Sequence, residues 1–163
     1  MEWTIDCIDE DSLDNIGNKL ADYVNPGVVF CLSGSLGVGK TTLARAIIQR
    51  ACNFKSDIPS PTFTIVQSYQ VATGFEIWHL DLYRLNSMEE AVVLGLEDAL
   101  IDHCCIIEWS DIVEQIMPAD TIYVYLEFQN KEEESLVCQR MINIKTSNVS
   151  LLSFDEPQAK RIS

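Results

Sequence analysis

Eight residues constrain this chain more than any others: Gly34-Ser35-Leu36-Gly37-Val38-Gly39-Lys40-Thr41, a complete GxxxxGKT. The almost wholly apolar run 28–33 precedes it, as expected of a strand covered on both faces. Behind it, residues 40–52 carry apolar side chains at helical spacing through Leu43, Ile47 and Ile48. Glycines at this spacing let successive backbone N–H groups turn inward around a phosphate, and the helix that starts there adds its positive end. In such a loop the lysine, here Lys40, reaches the β- and γ-phosphates, and the hydroxyl of Thr41 is a ligand for Mg²⁺. Strand, loop and helix agree, so the chain is expected to bind a nucleoside triphosphate.

Magnesium at such a loop needs a carboxylate from the end of a neighbouring parallel strand. Two acids qualify. Glu108 follows the apolar run Cys104-Cys105-Ile106-Ile107, and Asp81 stands in His79-Leu80-Asp81-Leu82-Tyr83-Arg84 at the end of another expected strand. Ser60-Pro61-Thr62-Phe63-Thr64 offers a hydroxyl that is able to sense a γ-phosphate as switch segments do; a plain turn feeding a strand is the other reading. Taken alone, His79 reads as a packed strand histidine and Trp109 as a core or edge aromatic.

The rest of the chain alternates strands and helices. Residues 11–24 form a helical stripe capped by Asp11 or Ser12, residues 63–71 and 75–82 are strands, and residues 88–100 are helical with a break near Gly95. Residues 121–128 and 136–144 read as a late antiparallel hairpin around the acidic turn 131–135. The expected class is α/β: a P-loop NTPase-like three-layer fold, its mixed sheet having a parallel core and antiparallel additions. Residues 1–146 are read as one domain and residues 147–163 as a polar, flexible tail.

Charge and cysteines narrow the function. Eleven Lys plus Arg against 25 Asp plus Glu leave a net charge of −14, which disfavours unaided binding to nucleic acid. The six cysteines form no CxxC and read as buried free thiols, as in a reducing compartment. The first ten residues do not form a secretory signal, and no apolar run reaches membrane-spanning length, so a cytoplasmic location is expected.

Four motifs stand together in order: residues 34–42, Ser60-Pro61-Thr62-Phe63-Thr64, His79-x-Asp81-Leu82-Tyr83-Arg84-Leu85 and Ile107-Glu108-Trp109. In this order and at these intervals they resemble the bacterial TsaE (YjeE) family, the ATPase component of the tRNA threonylcarbamoyladenosine system. The resemblance spans roughly residues 10–128. It implies ATP and Mg²⁺ as cofactors, with Gly34, Gly37, Val38, Gly39, Lys40, Thr41 and Thr42 at the phosphates and Thr41 and Glu108 on the metal. Asp81 then orients water or serves as a base, Thr62 belongs to a switch-like segment, Trp109 lies beside the site and Glu10 near the nucleotide base. Implied partners are the TsaD and TsaB proteins, which carry threonylcarbamoyl transfer to tRNAs reading ANN codons; tRNA is reached only through them, with no role for DNA or membrane.

Two residues depart from the family pattern. Ser110 follows Trp109 where a proline is common, and the late hairpin has Lys131-Glu132-Glu133-Glu134 where an arginine is usual, leaving Lys131 as its substitute or the contact absent. Two of three rival readings lack their signatures. A GTPase needs an NKxD loop, and Asn130-Lys131-Glu132-Glu133 lacks the aspartate; a small-molecule kinase brings clustered arginines, and the five here do not cluster. A regulatory nucleotide-binding module without turnover is separated from an ATPase by phosphate release.

Overall fold

The computed structural model describes residues 1–7, 9–54, 57–129, 140–147 and 159–162. One eight-stranded mixed sheet runs through them. Its strands are β1 (Glu2–Cys7), β2 (Val29–Gly34), β3 (Val66–Gln70), β4 (Glu76–Asp81), β5 (Cys104–Glu108), β6 (Ile122–Phe128), β7 (Arg140–Lys145) and β8 (Ala159–Ile162). The spatial order is β3-β4-β5-β2-β6-β7-β1-β8. The four strands β4, β5, β2 and β6 are parallel neighbours, and β3, β7, β1 and β8 add antiparallel pairs at the two sides. This is the expected parallel core with antiparallel additions.

The apolar runs at β2 and β5 follow from burial on both faces. Phe30 and Leu32 of β2, with Cys104 and Ile106 of β5, join one core beneath α1 (Glu10–Leu20) and α2 (Lys40–Ala51). Val29 and Cys31, with Cys105 and Ile107, join the other beneath α3 (Met88–Val93), α4 (Leu96–Asp102) and the 3-10 helix Ser110–Ile116. Helix, sheet, helix makes the three layers. The thiols of Cys31, Cys104 and Cys105 are free and fully buried, and burial pushes Cys31 up to about 11 and Cys105 to about 12. Cys138 and the side chain of Cys7 lie outside the described residues.

Several local expectations need correction. The cap of α1 is Asp9, whose carboxylate accepts from the Ser12 N–H at 2.8 Å, so the helix starts before Asp11. It ends at Leu20, with the 3-10 turn Ala21–Tyr23 continuing it. The helical stretch 88–100 does break at Gly95, which adopts a left-handed conformation between α3 and α4. Strand β1 was not expected: Trp3 and Ile5 alternate into the core while its partner β7 lies far along the chain. The stretch read as a tail after Thr146 supplies β8, which pairs with β1 from Glu2↔Ile162 to Ile5↔Ala159. Of the late hairpin, β6 and β7 pair antiparallel from Tyr123↔Lys145 to Phe128↔Arg140, and its acidic turn 131–135 lies outside the described residues.

Helix α1 crosses α2 at close range. A Cβ placed on Gly17 would meet the Cβ of Ala46 at 2.4 Å and the Leu43 carbonyl at 3.2 Å. Neither atom is a flexible side-chain end, so the helices must separate to admit anything larger. Gly17→Val should therefore lower unfolding free energy by about 1–3 kcal/mol, read from the urea midpoint at unchanged slope.

Candidate functional site

All the strand-end chemistry gathers at one edge of the parallel core. Pairing of β4 with β5 sets Asp81 opposite Glu108, and pairing of β2 with β5 sets Leu32 opposite Glu108, just before the loop. Open α/β sheets bind ligands at this carboxyl edge. Here the edge carries a cleft of about 260 Å³, lined by Gly37, Gly39, Lys40, Thr41 and Thr42 from the loop and α2. Thr62, Asp81, Tyr83, Glu108 and Trp109 close its other side.

Helix α2 begins without a side-chain cap: its N-cap is Gly39, at φ 113°, which makes no side-chain capping bond. Its first N–H groups are thus offered to an anion, with the helix's positive end behind them. Gly34 is required for a different reason. Its φ is +137°, and a Cβ there would stand 2.2 Å from the Leu126 carbonyl oxygen. Of the loop residues expected at the phosphates, Gly34 and Val38 do not line the cleft. Val38 is buried in the core, and its carbonyl accepts the Arg140 Nε–H at 2.7 Å.

Lys40 bends back over the loop. Its Nζ donates to the carbonyls of Gly34 at 2.8 Å and Ser35 at 2.9 Å, and lies 3.9 Å from the centroid of the Trp109 ring. Burial lowers the lysine below its ordinary range, against the opposing pull of Glu108 and Asp81. Trp109 takes a left-handed φ of 58° at the turn from β5 into the 3-10 helix, which swings its ring against Tyr83 at 5.0 Å between centroids. Ser110 opens that 3-10 helix, a first-turn position where proline is also tolerated.

The two acids are held separately. Glu108 Oε2 accepts from the Thr41 hydroxyl at 2.9 Å, and Oε1 lies 2.9 Å from His79 Nε2. Asp81 Oδ2 accepts from the Thr62 hydroxyl at 2.9 Å, and Oδ1 from the Tyr83 N–H at 3.1 Å. Ser60 Oγ is 2.7 Å from Thr62 Oγ1, so the hydroxyl segment reads onto Asp81. The segment is pinned at its base, where Ile65 N–H bonds the Pro61 carbonyl and Asp81 N–H the Ile65 carbonyl. Its tip is open: Phe63 is 83% exposed, with the Arg84 guanidinium 4.7 Å from its ring centroid.

Among the described residues no three His, Cys, Asp or Glu side chains come together as a metal cluster. A cation here would be held by the paired oxygens of Thr41 and Glu108 together with phosphate and water oxygens. Such a hard, sparse donor set suits Mg²⁺.

The structure thus brings together Gly37, Gly39, Lys40, Thr41, Thr42, Thr62, Asp81, Glu108 and Trp109. Glu10 begins α1, and its side chain lies outside the described residues, as does Lys131. Two contributors escaped the sequence. Arg140, first residue of β7, anchors the back of the loop through Val38, and only the strand pairing reveals that it stands there. His79 touches Glu108 because β4 lies beside β5; its place two residues before Asp81, on the same strand face, was the available signal.

Among the described residues no helix is long and apolar enough to cross a membrane. The family described as "Threonylcarbamoyl adenosine biosynthesis protein TsaE" matches residues 7–141. Curated relatives named tRNA threonylcarbamoyladenosine biosynthesis protein TsaE include that of Rickettsia felis, 37% identical over 89% of this chain and 82% of the relative. That of Rickettsia bellii is 40% identical over 76% of this chain and 85% of its own, and that of Haemophilus influenzae 36% over 74% and 78%. The crystal structure of Bacillus subtilis YdiB superposes with a TM-score of 0.68 at 20% identity, covering 91% of this chain and 87% of that one, a likeness of fold. With the family matched across most of its length and the relatives this similar, the chain belongs to the TsaE family.

Proposed function

We propose that this chain is a Mg²⁺-dependent ATPase required for threonylcarbamoyladenosine formation in tRNAs that read ANN codons. It acts in the cytoplasm with TsaD and TsaB and resets their complex between turnovers. The observation that carries this reading is the paired Thr41 hydroxyl and Glu108 carboxylate, 2.9 Å apart beside the open amides of α2.

Each residue has a task. The loop amides and Lys40 bind the phosphates; a phosphate oxygen is a stronger partner for the Lys40 ammonium than the two carbonyls that now hold it. Thr41 and Glu108 hold the metal, which when bound neutralises charge on the phosphates. Asp81, fixed by Thr62 and the Tyr83 amide, orients the attacking water or takes its proton. Among the described residues Lys40 is the one lysine or arginine lining the cleft, so charge developing on the γ-phosphate is poorly neutralised and turnover by the chain alone is slow.

The charge of −14 supports leaving tRNA recognition to the partners, while the same acidity favours docking on a basic protein face. The test is steady phosphate release by the chain alone and with TsaD and TsaB, alongside tRNA binding by the chain alone. Release should rise about tenfold or more with both partners, and isolated binding to tRNA should be weak at moderate salt. Full turnover without partners, or tight tRNA binding without them, would overturn the reading.

A further inference from the structure

We propose that His79 is a positioning residue for magnesium: its Nε2–H holds Glu108 Oε1 so that the carboxylate turns Oε2 toward Thr41. His79 is fully buried on β4, and Glu108 is 2% exposed on the neighbouring β5. The two oxygens of Glu108 are divided between partners, Oε1 at 2.9 Å from His79 Nε2 and Oε2 at 2.9 Å from the Thr41 hydroxyl. Since an ionised carboxylate only accepts, Nε2 is the donor. Among the described residues His79 Nδ1 has no hydrogen-bond partner, so a proton there would be buried without an acceptor. The ring is therefore held as the Nε2–H tautomer, with its single donor aimed at Glu108.

The bond does what outer partners of metal-binding carboxylates do elsewhere: it fixes the rotamer before the cation arrives and satisfies the oxygen that faces the interior. Without it, Glu108 Oε1 would be a buried carboxylate oxygen with no donor from β4, and the side chain would be free to swing off Thr41. The effect should fall on metal affinity, leaving the loop amides and Lys40 able to bind nucleotide. This inference rests on the reading of Glu108 as a magnesium ligand.

The experiment titrates Mg²⁺ against binding of a fluorescent ATP analogue by the full chain, in wild type, His79→Leu and His79→Gln. For His79→Leu the Mg²⁺ half-saturation point should rise about tenfold or more, with metal-free binding unchanged. His79→Gln, whose amide N–H can replace the lost donor, should restore it to within about threefold. A folded His79→Leu with the wild-type Mg²⁺ response would overturn the inference. If wild type itself shows no Mg²⁺ response, it is the reading of Glu108 that fails. A second measurement needs no folded His79→Leu protein: ¹⁵N-edited imidazole spectra of nucleotide-free wild type should show a protected His79 Nε2–H proton that Glu108→Gln shifts. An imidazole protonated on Nδ1 alone would also overturn the inference.

Discussion

Glu108→Ala should lower Mg²⁺-dependent ATP turnover by about 10²–10³-fold while metal-free nucleotide binding changes by no more than about threefold. Donor supply sets the size of the effect. Thr41 and Glu108 are the paired protein oxygens at the mouth of the loop, and no further cluster among the described residues replaces them. Alanine also strips His79 of its acceptor, and a buried N–H without a partner costs about 1–3 kcal/mol of stability. Glu108→Gln is therefore the sharper variant. Its amide oxygen still accepts from His79 and its volume is conserved, but the negative charge facing the metal is gone. Equal losses in both variants, measured as phosphate release against Mg²⁺ concentration, would assign the effect to charge. Normal hydrolysis by Glu108→Ala would move the metal role to Asp81.

Asp81→Asn should behave differently, keeping ATP affinity within about threefold and losing about 10²–10⁴-fold in kcat. Asparagine can preserve the local bonds. Its oxygen still accepts from the Tyr83 N–H, and its amide can donate to Thr62, whose hydroxyl then turns to Ser60 at 2.7 Å. What it lacks is the basicity to take a proton from water or to hold that water by charge. A loss confined to turnover is the mark of an interaction made mainly in the transition state. Parallel loss of affinity and turnover would instead give Asp81 a metal or structural role.

The parts legible in the sequence were those whose burial leaves a local mark. Strands β2 and β5 are covered on both faces, so they read as continuous apolar runs ending at Gly34 and Glu108. The loop and α2 carry a fixed spacing, and Asp81 and Glu108 stand as polar stops at strand ends. What depends on which strands become neighbours left no such mark. Among its described side chains strand β1 buries Trp3 and Ile5, flanked by Glu2 and Asp6, and it is completed by β7 and β8 from the far end of the chain. Arg140 meets the loop only because β7 folds back beside β6, and His79 meets Glu108 only because β4 lies against β5. The left-handed turn at Trp109 is likewise set by its surroundings, with its N–H bonded to the Leu32 carbonyl across to β2.

Counting modified tRNA per complex tests most directly the proposal that hydrolysis at this site serves repeated use of the modifying complex. TsaD and TsaB would be combined with ATP, a threonylcarbamoyl donor and excess tRNA, and supplied with either the wild-type chain or Glu108→Gln. With wild type, threonylcarbamoyladenosine should accumulate through many rounds; with the variant it should stop at about one equivalent of complex, since only the first round precedes resetting. Continued accumulation at the same rate with the variant would contradict the account.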